Sequence, residues 1–237
     1  MFVARDKCGA LVDADAASRE TEYVCPMCRG KVRLRRGAVN AAHFAHASLK
    51  DCDDFTSDIS YWHLEWQKQF PLECREVVVE HNGEQHRADV LIKGHVIEFQ
   101  HSSISCEEFN RRNAFYTGAG YKVVWVFDMT GEFSIGKMVP YNTTIYGNDL
   151  YHWKHPMRIF RDYLPQEREK VFLFFQVTPS DFSEETEKEK CYIEQVVWAI
   201  ADECGCSNFK RFCTELNRGS PVTKTELMEC IKQGTLY

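Results

Sequence analysis

The chain has 237 residues, a formal net charge of −6 at neutral pH, 44% hydrophobic residues and 13% aromatic ones. That composition excludes wholesale disorder and a globally basic coat for nucleic acid, and it suits one main core with one or two small additions. No apolar run approaches the roughly 20 residues of a membrane-spanning helix, and MFVARDKC lacks an apolar leader, so the expectation is a cytoplasmic protein with no membrane partner. The eleven cysteines are an odd number, and in that setting they read as metal ligands and buried thiols rather than a disulfide framework.

Residues 1–58 are expected to form a small zinc-binding module. Cys25-Pro-Met-Cys28 is a tight knuckle that aims two thiolates at one point. His43, His46 and Cys52 follow, and two of these three complete a tetrahedral Zn²⁺ site; spacing alone does not say which two. The segment between forms a short hairpin that carries Lys31, Arg33, Arg35 and Arg36, suited to phosphate contacts on DNA. So small and polar a region folds with the help of a metal.

Residues 59–138 carry the clearest periodicity. Ile59, Trp62, Trp66 and Phe70 recur at helical spacing, which predicts a helix over 59–73 capped by Asp58 or Ser60. The valine-rich EVVVE then reaches Asn82-Gly83, a hairpin turn signal, and His86 to Ile92 returns as a strand. Lys93-Gly94 is a second tight turn before a strand from His95 to Gln100. Ser105 and Glu108 predict a capping box for a helix to about Tyr116, ended by Gly118 and Gly120. KVVWVF, 122–127, reads as a buried strand.

If Lys93-Gly94 is a two-residue loop, Ile92 faces His95 and, counting back, Asp89 faces Glu98. Alternation then gives one face Arg87, Asp89, Leu91, Val96, Glu98 and Gln100, and the other Ala88, Val90, Ile92, Ile97 and Phe99. Two carboxylates with Cβ atoms about 4.5–5.5 Å apart repel each other, and a divalent cation removes that repulsion. A metal so held activates water and stabilises a phosphoryl transition state.

A helix, three antiparallel strands, a helix and a strand, with Asp89 on the second strand and Glu98-Phe99-Gln100 on the third, resemble the PD-(D/E)XK nuclease core. The resemblance implies an α/β restriction-endonuclease-like fold in which Asp89 and Glu98 bind Mg²⁺ or Mn²⁺. Gln100 stands where the usual lysine orients the attacking water; E-x-Q variants of that superfamily include active enzymes. Lys122, Arg111 and Arg112 are candidates to supply the missing positive charge. MFVARD, CPMC with KVRLRRG, HFAHASLKDCD, WHLEWQ, RADVLI, IEFQHSSIS and GYKVVWVF together resemble the competence protein CoiA family over roughly residues 1–130. That resemblance implies a cytoplasmic bacterial nuclease acting on DNA, associated with natural transformation, and places a polar residue of the first core helix, His63 or Glu65, near the metal. The alternatives are a catalytically inactive protein on the same fold that grips DNA or a recombination partner, and a nuclease of phage defence or mobile elements.

Residues 139–237 read as a C-terminal α+β extension. FLFFQV, 172–177, is expected as a buried strand, and Glu194, Val197, Trp198 and Ala201 fit a helix over about 188–203. Cys204-Gly-Cys206, Cys213 and Cys230 lack partner histidines and read as ordinary thiols. His152 and His155 flank Trp153 and read as packing residues.

Overall fold

The structure is a computed structural model that describes residues 1–38, 40–47, 52–53, 55, 59–142, 149–153, 157–160, 170–176, 192–199, 211–214 and 222–236. The N-terminal module is an antiparallel five-stranded sheet: β1 (Val3–Asp6), β2 (Leu11–Asp13), β3 (Tyr23–Val24), β4 (Lys31–Arg35) and β5 (His43–His46), ordered β2-β1-β3-β4-β5. Its core gathers Met1, Ala4, Ala14, Ala17, Tyr23, Cys25, Val32 and Phe44. That is little apolar surface for an independent fold, as its composition predicts.

Next come helix α1 (Tyr61–Lys68), strands β6 (Arg75–His81), β7 (Glu84–Ile92) and β8 (His95–Gln100), helix α2 (Cys106–Gly118) and strand β9 (Lys122–Asp128). This is the predicted order. Ser60 caps α1, accepting the His63 N–H; Asp58 lies outside the described residues. Ser105 accepts the Glu108 N–H, while the Glu108 carboxylate turns to Arg112. Both hairpin turns carry consecutive positive φ angles, +50° and +82° at Asn82-Gly83 and +50° and +77° at Lys93-Gly94. These are the primed turns that match strand twist, and Ile92 pairs with His95 as counted.

The remaining elements are α3 (Thr130–Ser134), β10 (Met138–Asn142), β11 (Asp149–Trp153), α4 (Met157–Phe160), β12 (Val171–Gln176), β13 (Tyr192–Ala199), β14 (Arg211–Thr214), β15 (Val222–Thr223) and α5 (Lys224–Gln233). The second sheet runs β10-β11-β14-β13-β12-β9-β8-β7-β6, with β15 on β13. β12 lies parallel to β9, so the boundary expected near residue 138 does not end the sheet. All six residues of β12 are buried, as expected of FLFFQV.

The helix expected over 188–203 is corrected: residues 192–199 are strand β13, hydrogen-bonded to β12 and β14. Its run of β-branched and aromatic residues suits a strand with neighbours on both sides, and that tertiary pairing overrides a coincidental helical spacing. Cys204, Cys206 and His155 lie outside the described residues.

Both faces of the central strands are covered. On the α1 side, Trp66 and Phe70 pack with Val90, Ile97, Phe99, Val124, Val126 and, from α5, Leu227 and Ile231. On the α2 side, Phe109 and Tyr116 pack with Ala88, Val96, Trp125 and Phe127. Strands β8, β9 and β12 alternate strictly between the two. Strand β7 does not: Ala88 and Leu91 both pack on the α2 side, so its alternation slips at Asp89–Val90. The predicted grouping of Ala88 with Val90, and of Asp89 on one face with Leu91, Val96 and Glu98, is therefore corrected: Asp89 turns to the α1 side and Glu98 to the α2 side. Opposite the slip stands Glu76, with φ +49°, its carboxylate accepting the N–H groups of Phe2 at 2.8 Å and Val3 at 2.7 Å. A long-range contact thus distorts the ladder where Asp89 stands.

Candidate metal centre and carboxylate site

The knuckle and β5 bring four ligands together. Sγ of Cys25, Cys28 and Cys52 and a ring nitrogen of His46 all lie within 4.8 Å of one another. Cys25 Sγ is 3.5 Å from Cys52 Sγ, and Cys28 Sγ is 3.3 Å from His46 Nε2. Tetrahedral ligands at about 2.0–2.3 Å from zinc stand ~3.5 Å apart, so the donor set fits Zn²⁺. Gly30 N–H donates to Cys28 Sγ at 3.3 Å, and a Cβ on Gly30 would meet that sulfur at 3.2 Å. Burial opposes ionisation of Cys28, but the Gly30 N–H and hydrogen bonds with Cys52 and Cys25 hold its thiol below the usual range. Burial and the Cys25 and Cys28 sulfurs push Cys52 up. A divalent cation would remove this conflict among the thiolates. Burial, with Arg87 nearby, lowers the His46 pKa and keeps the ring neutral, as a ligand must be.

The β4–β5 register places one of the two histidines with the cysteines. His46 pairs with Val32, beside the knuckle, and His43 pairs with Arg35 at the far end. Three residues apart on a strand, the two histidines face opposite ways. His43 Nδ1 lies 2.9 Å from the Ala41 carbonyl, and Cys8 is exposed, away from the cluster.

The carboxylates sit where the β7–β8 ladder stops, one pair beyond Val90–Ile97. Asp89 turns toward α1: its Oδ1 is 3.1 Å from His63 Nε2 and 3.4 Å from Gln67 Nε2, and its Oδ2 accepts the Phe99 N–H at 2.9 Å. Burial raises the Asp89 pKa, but His63, the Phe99 N–H and Arg112 outweigh it, and the carboxyl is held below its ordinary value. Glu98, 1% exposed, turns toward α2, where Arg112 Nη1 donates to its Oε2 at 2.6 Å. Glu98 Oε1 and the Tyr116 hydroxyl are buried without a hydrogen bond of ordinary geometry. Burial and Asp89 push the Glu98 carboxyl up to about 7 against the pull of Arg112 and of the Tyr116 hydroxyl.

The other predicted residues divide. His63 is at the site; Glu65 faces away, toward the buried Lys224 of α5 at 3.4 Å. The Gln100 amide donates to the Ser102 carbonyl at 2.8 Å. Lys122 pairs with His95 at the opposite end of the sheet and Arg111 lies over Phe55 at 4.7 Å, so of the three candidate cations Arg112 alone meets the carboxylates. Tied to Glu98 and Glu108 and buried, Arg112 is removed from the DNA-facing set. Arg36 donates to the carbonyls of Ala14, Asp15 and Ala17 and acts as a loop brace, while Lys31 pairs with Glu22. Arg33 and Arg35 remain exposed on one face of β4. Gln67 escaped the sequence reading; its signal is the four-residue spacing from His63, which puts both on one helix face.

The raised Glu98 carboxyl makes stability depend on pH. Its folded pKa of about 7 lies above its unfolded value, so its favourable contribution is complete below the unfolded value and lost as pH rises through 7. Urea unfolding should show wild type losing up to about 3 kcal/mol between pH 5 and 8, a decline that Glu98→Gln flattens. Parallel pH profiles for the two proteins would contradict this.

Among the described residues no helix is long and apolar enough to cross a membrane. The family model for the competence protein CoiA N-terminal domain matches residues 12–55, and that for the CoiA nuclease-like domain matches residues 63–192. The chain is 24% identical over 164 residues to "Competence protein CoiA" of Bacillus subtilis (strain 168), covering 63% of this chain and 42% of that protein. It is 40% identical over 50 residues to "Druantia protein DruB" of Escherichia coli (strain UMEA 4076-1), covering 20% of this chain and 9% of that protein. It thus spans less than half the length of either relative. No solved structure matches. A module built on a Cys₃His cluster, followed by a sheet that carries two buried carboxylates, and two family models matched in that order, show that this chain belongs to the competence protein CoiA family.

Proposed function

We propose that this chain is a metal-dependent nuclease of the PD-(D/E)XK type that hydrolyses phosphodiester bonds in DNA. One observation carries the reading: Asp89, held in its ionised form, and the buried Glu98 stand at opposed positions where the β7–β8 ladder stops, and the Asp89 charge helps raise the Glu98 carboxyl. Two carboxyl groups so placed oppose each other's ionisation, and a divalent cation between them would relieve that conflict. Glu98 Oε1 and Asp89 would be the donors to Mg²⁺ or Mn²⁺. When bound, such a cation supplies a more acidic water and shields charge on the phosphate.

The chain's own residues do the rest. His63, Gln67 and the Phe99 N–H fix Asp89, and Arg112 holds Glu98 by its other oxygen. Gln100 carries no charge and is anchored to Ser102, so it orients a water only through its amide oxygen. Arg112 supplies the positive charge that the usual lysine brings. The Cys₃His site holds Zn²⁺ as a structural ion.

A second reading is favoured by the same guanidinium: with Arg112 on Glu98, the fold grips DNA or a recombination partner without cutting it. Cleavage assays separate the two. The nuclease reading expects DNA hydrolysis that needs Mg²⁺ or Mn²⁺ and falls at least ~100-fold in Asp89→Ala and Glu98→Ala. Metal-independent cleavage, or cleavage indifferent to both substitutions, removes it; DNA binding with no cleavage leaves the second reading.

A further inference from the structure

Two cavities beside the zinc module share His43, Ala45 and Ile59 as walls. The outer one, about 680 Å³, is open and lined by Arg19, Arg35, Arg36 and Asn40 over Leu34 and Ile59. The inner one, about 300 Å³, runs on past the zinc ligands to Phe55 and Arg87. Together they make one trough from the outer face of the β4–β5 hairpin to strand β7, two residues from Asp89.

Its chemistry is one-sided. Arg19, Arg35 and Arg87 bring positive charge, while Asp53 is the one carboxylate among the described residues of either wall. Asp53 is engaged by His86 Nδ1 and the Arg87 N–H, both at 3.0 Å. Arg19 and Arg35 have no carboxylate partner among the described residues, and the nearest to Arg87 is Glu76, at 3.9 Å. In a chain of net charge −6 such a stretch concentrates a positive field locally. Between the cations lie Leu34, Ala45, Ile59 and Phe55. Cations alternating with apolar and aromatic surface suit a polymer with a charged backbone and flat apolar faces.

We infer that this trough binds a single strand of nucleic acid and leads it to the Asp89–Glu98 site. A duplex keeps its bases stacked inside, where Ile59 and Phe55 cannot reach them; an unpaired strand offers phosphates and base faces together. This also assigns a task to His43, which the metal centre leaves aside. The inference rests on the reading of this chain as a protein that acts on DNA, and it adds which form of DNA enters and by what route.

The test is fluorescence anisotropy of a labelled 20-nucleotide oligothymidylate and of a 20-base-pair duplex, on the zinc-loaded full chain without added Mg²⁺. The single strand should bind at least tenfold tighter than the duplex. Arg19→Glu with Arg35→Glu should weaken it more than tenfold, and the slope of log affinity against log salt should fall by about 0.7 for each phosphate that the protein ceases to neutralise. Zinc content reports folding; should the charge reversals lower it, Arg19→Gln with Arg35→Gln carries the same test. Unchanged affinity in the variants, or a duplex bound as tightly as the single strand, overturns the inference. Cleavage is scored apart. A protein that never cuts but whose strand binding needs Arg19 and Arg35 loses the catalytic reading and keeps the trough; one that cuts while its binding ignores both arginines does the reverse.

Discussion

Serine in place of Cys25 is expected to strip the metal from the N-terminal module and melt it. Structural zinc contributes roughly 10–16 kcal/mol of apparent binding free energy in small modules, and here the apolar core is too thin to replace it. The damage should spread by an identifiable route. Cys52 is followed by Asp53, whose Oδ1 accepts the Phe55 N–H at 3.1 Å as well as the His86 contact. Phe55 stacks on His86 with ring centres 3.6 Å apart and lies beneath Arg111 and Arg112. One loop therefore ties the metal to β7 and to the arginine that holds Glu98. Loss of metal should raise hydrogen exchange at the Arg87 amide at least ~10-fold, while β9 and β12 stay protected. His46→Ala should behave like Cys25→Ser, and His43→Ala should keep one zinc per chain, as measured by elemental analysis. A Cys25→Ser protein that retains its metal, or an unprotected β9, would show this chain of dependence to be wrong.

Removing the Arg112 side chain should cost about 3–5 kcal/mol, because it leaves the buried Glu98 charge without its partner and frees Glu108 as well. The cost should depend on pH. Without the guanidinium the Glu98 carboxyl rises further above 7, so at pH 5, where it is protonated with or without Arg112, the charge-linked part of the penalty is absent, and it appears and grows as pH rises above 7. Adding Glu98→Gln to Arg112→Ala should restore most of the lost stability at pH 8. Urea unfolding of the two single variants and the double variant closes the cycle. Destabilisation equal at both pH values, or no rescue in the double variant, would mean that Arg112 stabilises by packing under Trp125 and Phe55 rather than by charge.

What could be read from the sequence was what is local. The Asn82-Gly83 and Lys93-Gly94 turns need positive φ, and that fixed the hairpins and the Ile92–His95 pairing. Ser60 and Ser105 marked both helix starts, and the Cys25–Cys28 knuckle marked the Cys/His cluster. What stayed hidden depends on distant partners. Counting along the hairpin could not anticipate the slip at Asp89–Val90, because its cause is Glu76 bonded to backbone more than 70 residues away. The four-residue series Glu108, Arg112, Tyr116 was visible, but nothing local says that it faces Glu98 rather than solvent. Helical spacing in residues 192–199 misled because strands on both sides decide that segment. The choice between His43 and His46 needed a register, which spacing alone does not supply.

Helix α5 lays Leu227 and Ile231 on Trp66 and Phe70 and buries Lys224 against Glu65, 159 positions earlier in the chain. During translation at about 5–20 residues per second, that patch of α1 therefore waits roughly 8–30 seconds for its cover. The nascent protein passes through that interval with the α5-facing side of Trp66 and Phe70 uncovered, a natural foothold for a holding chaperone.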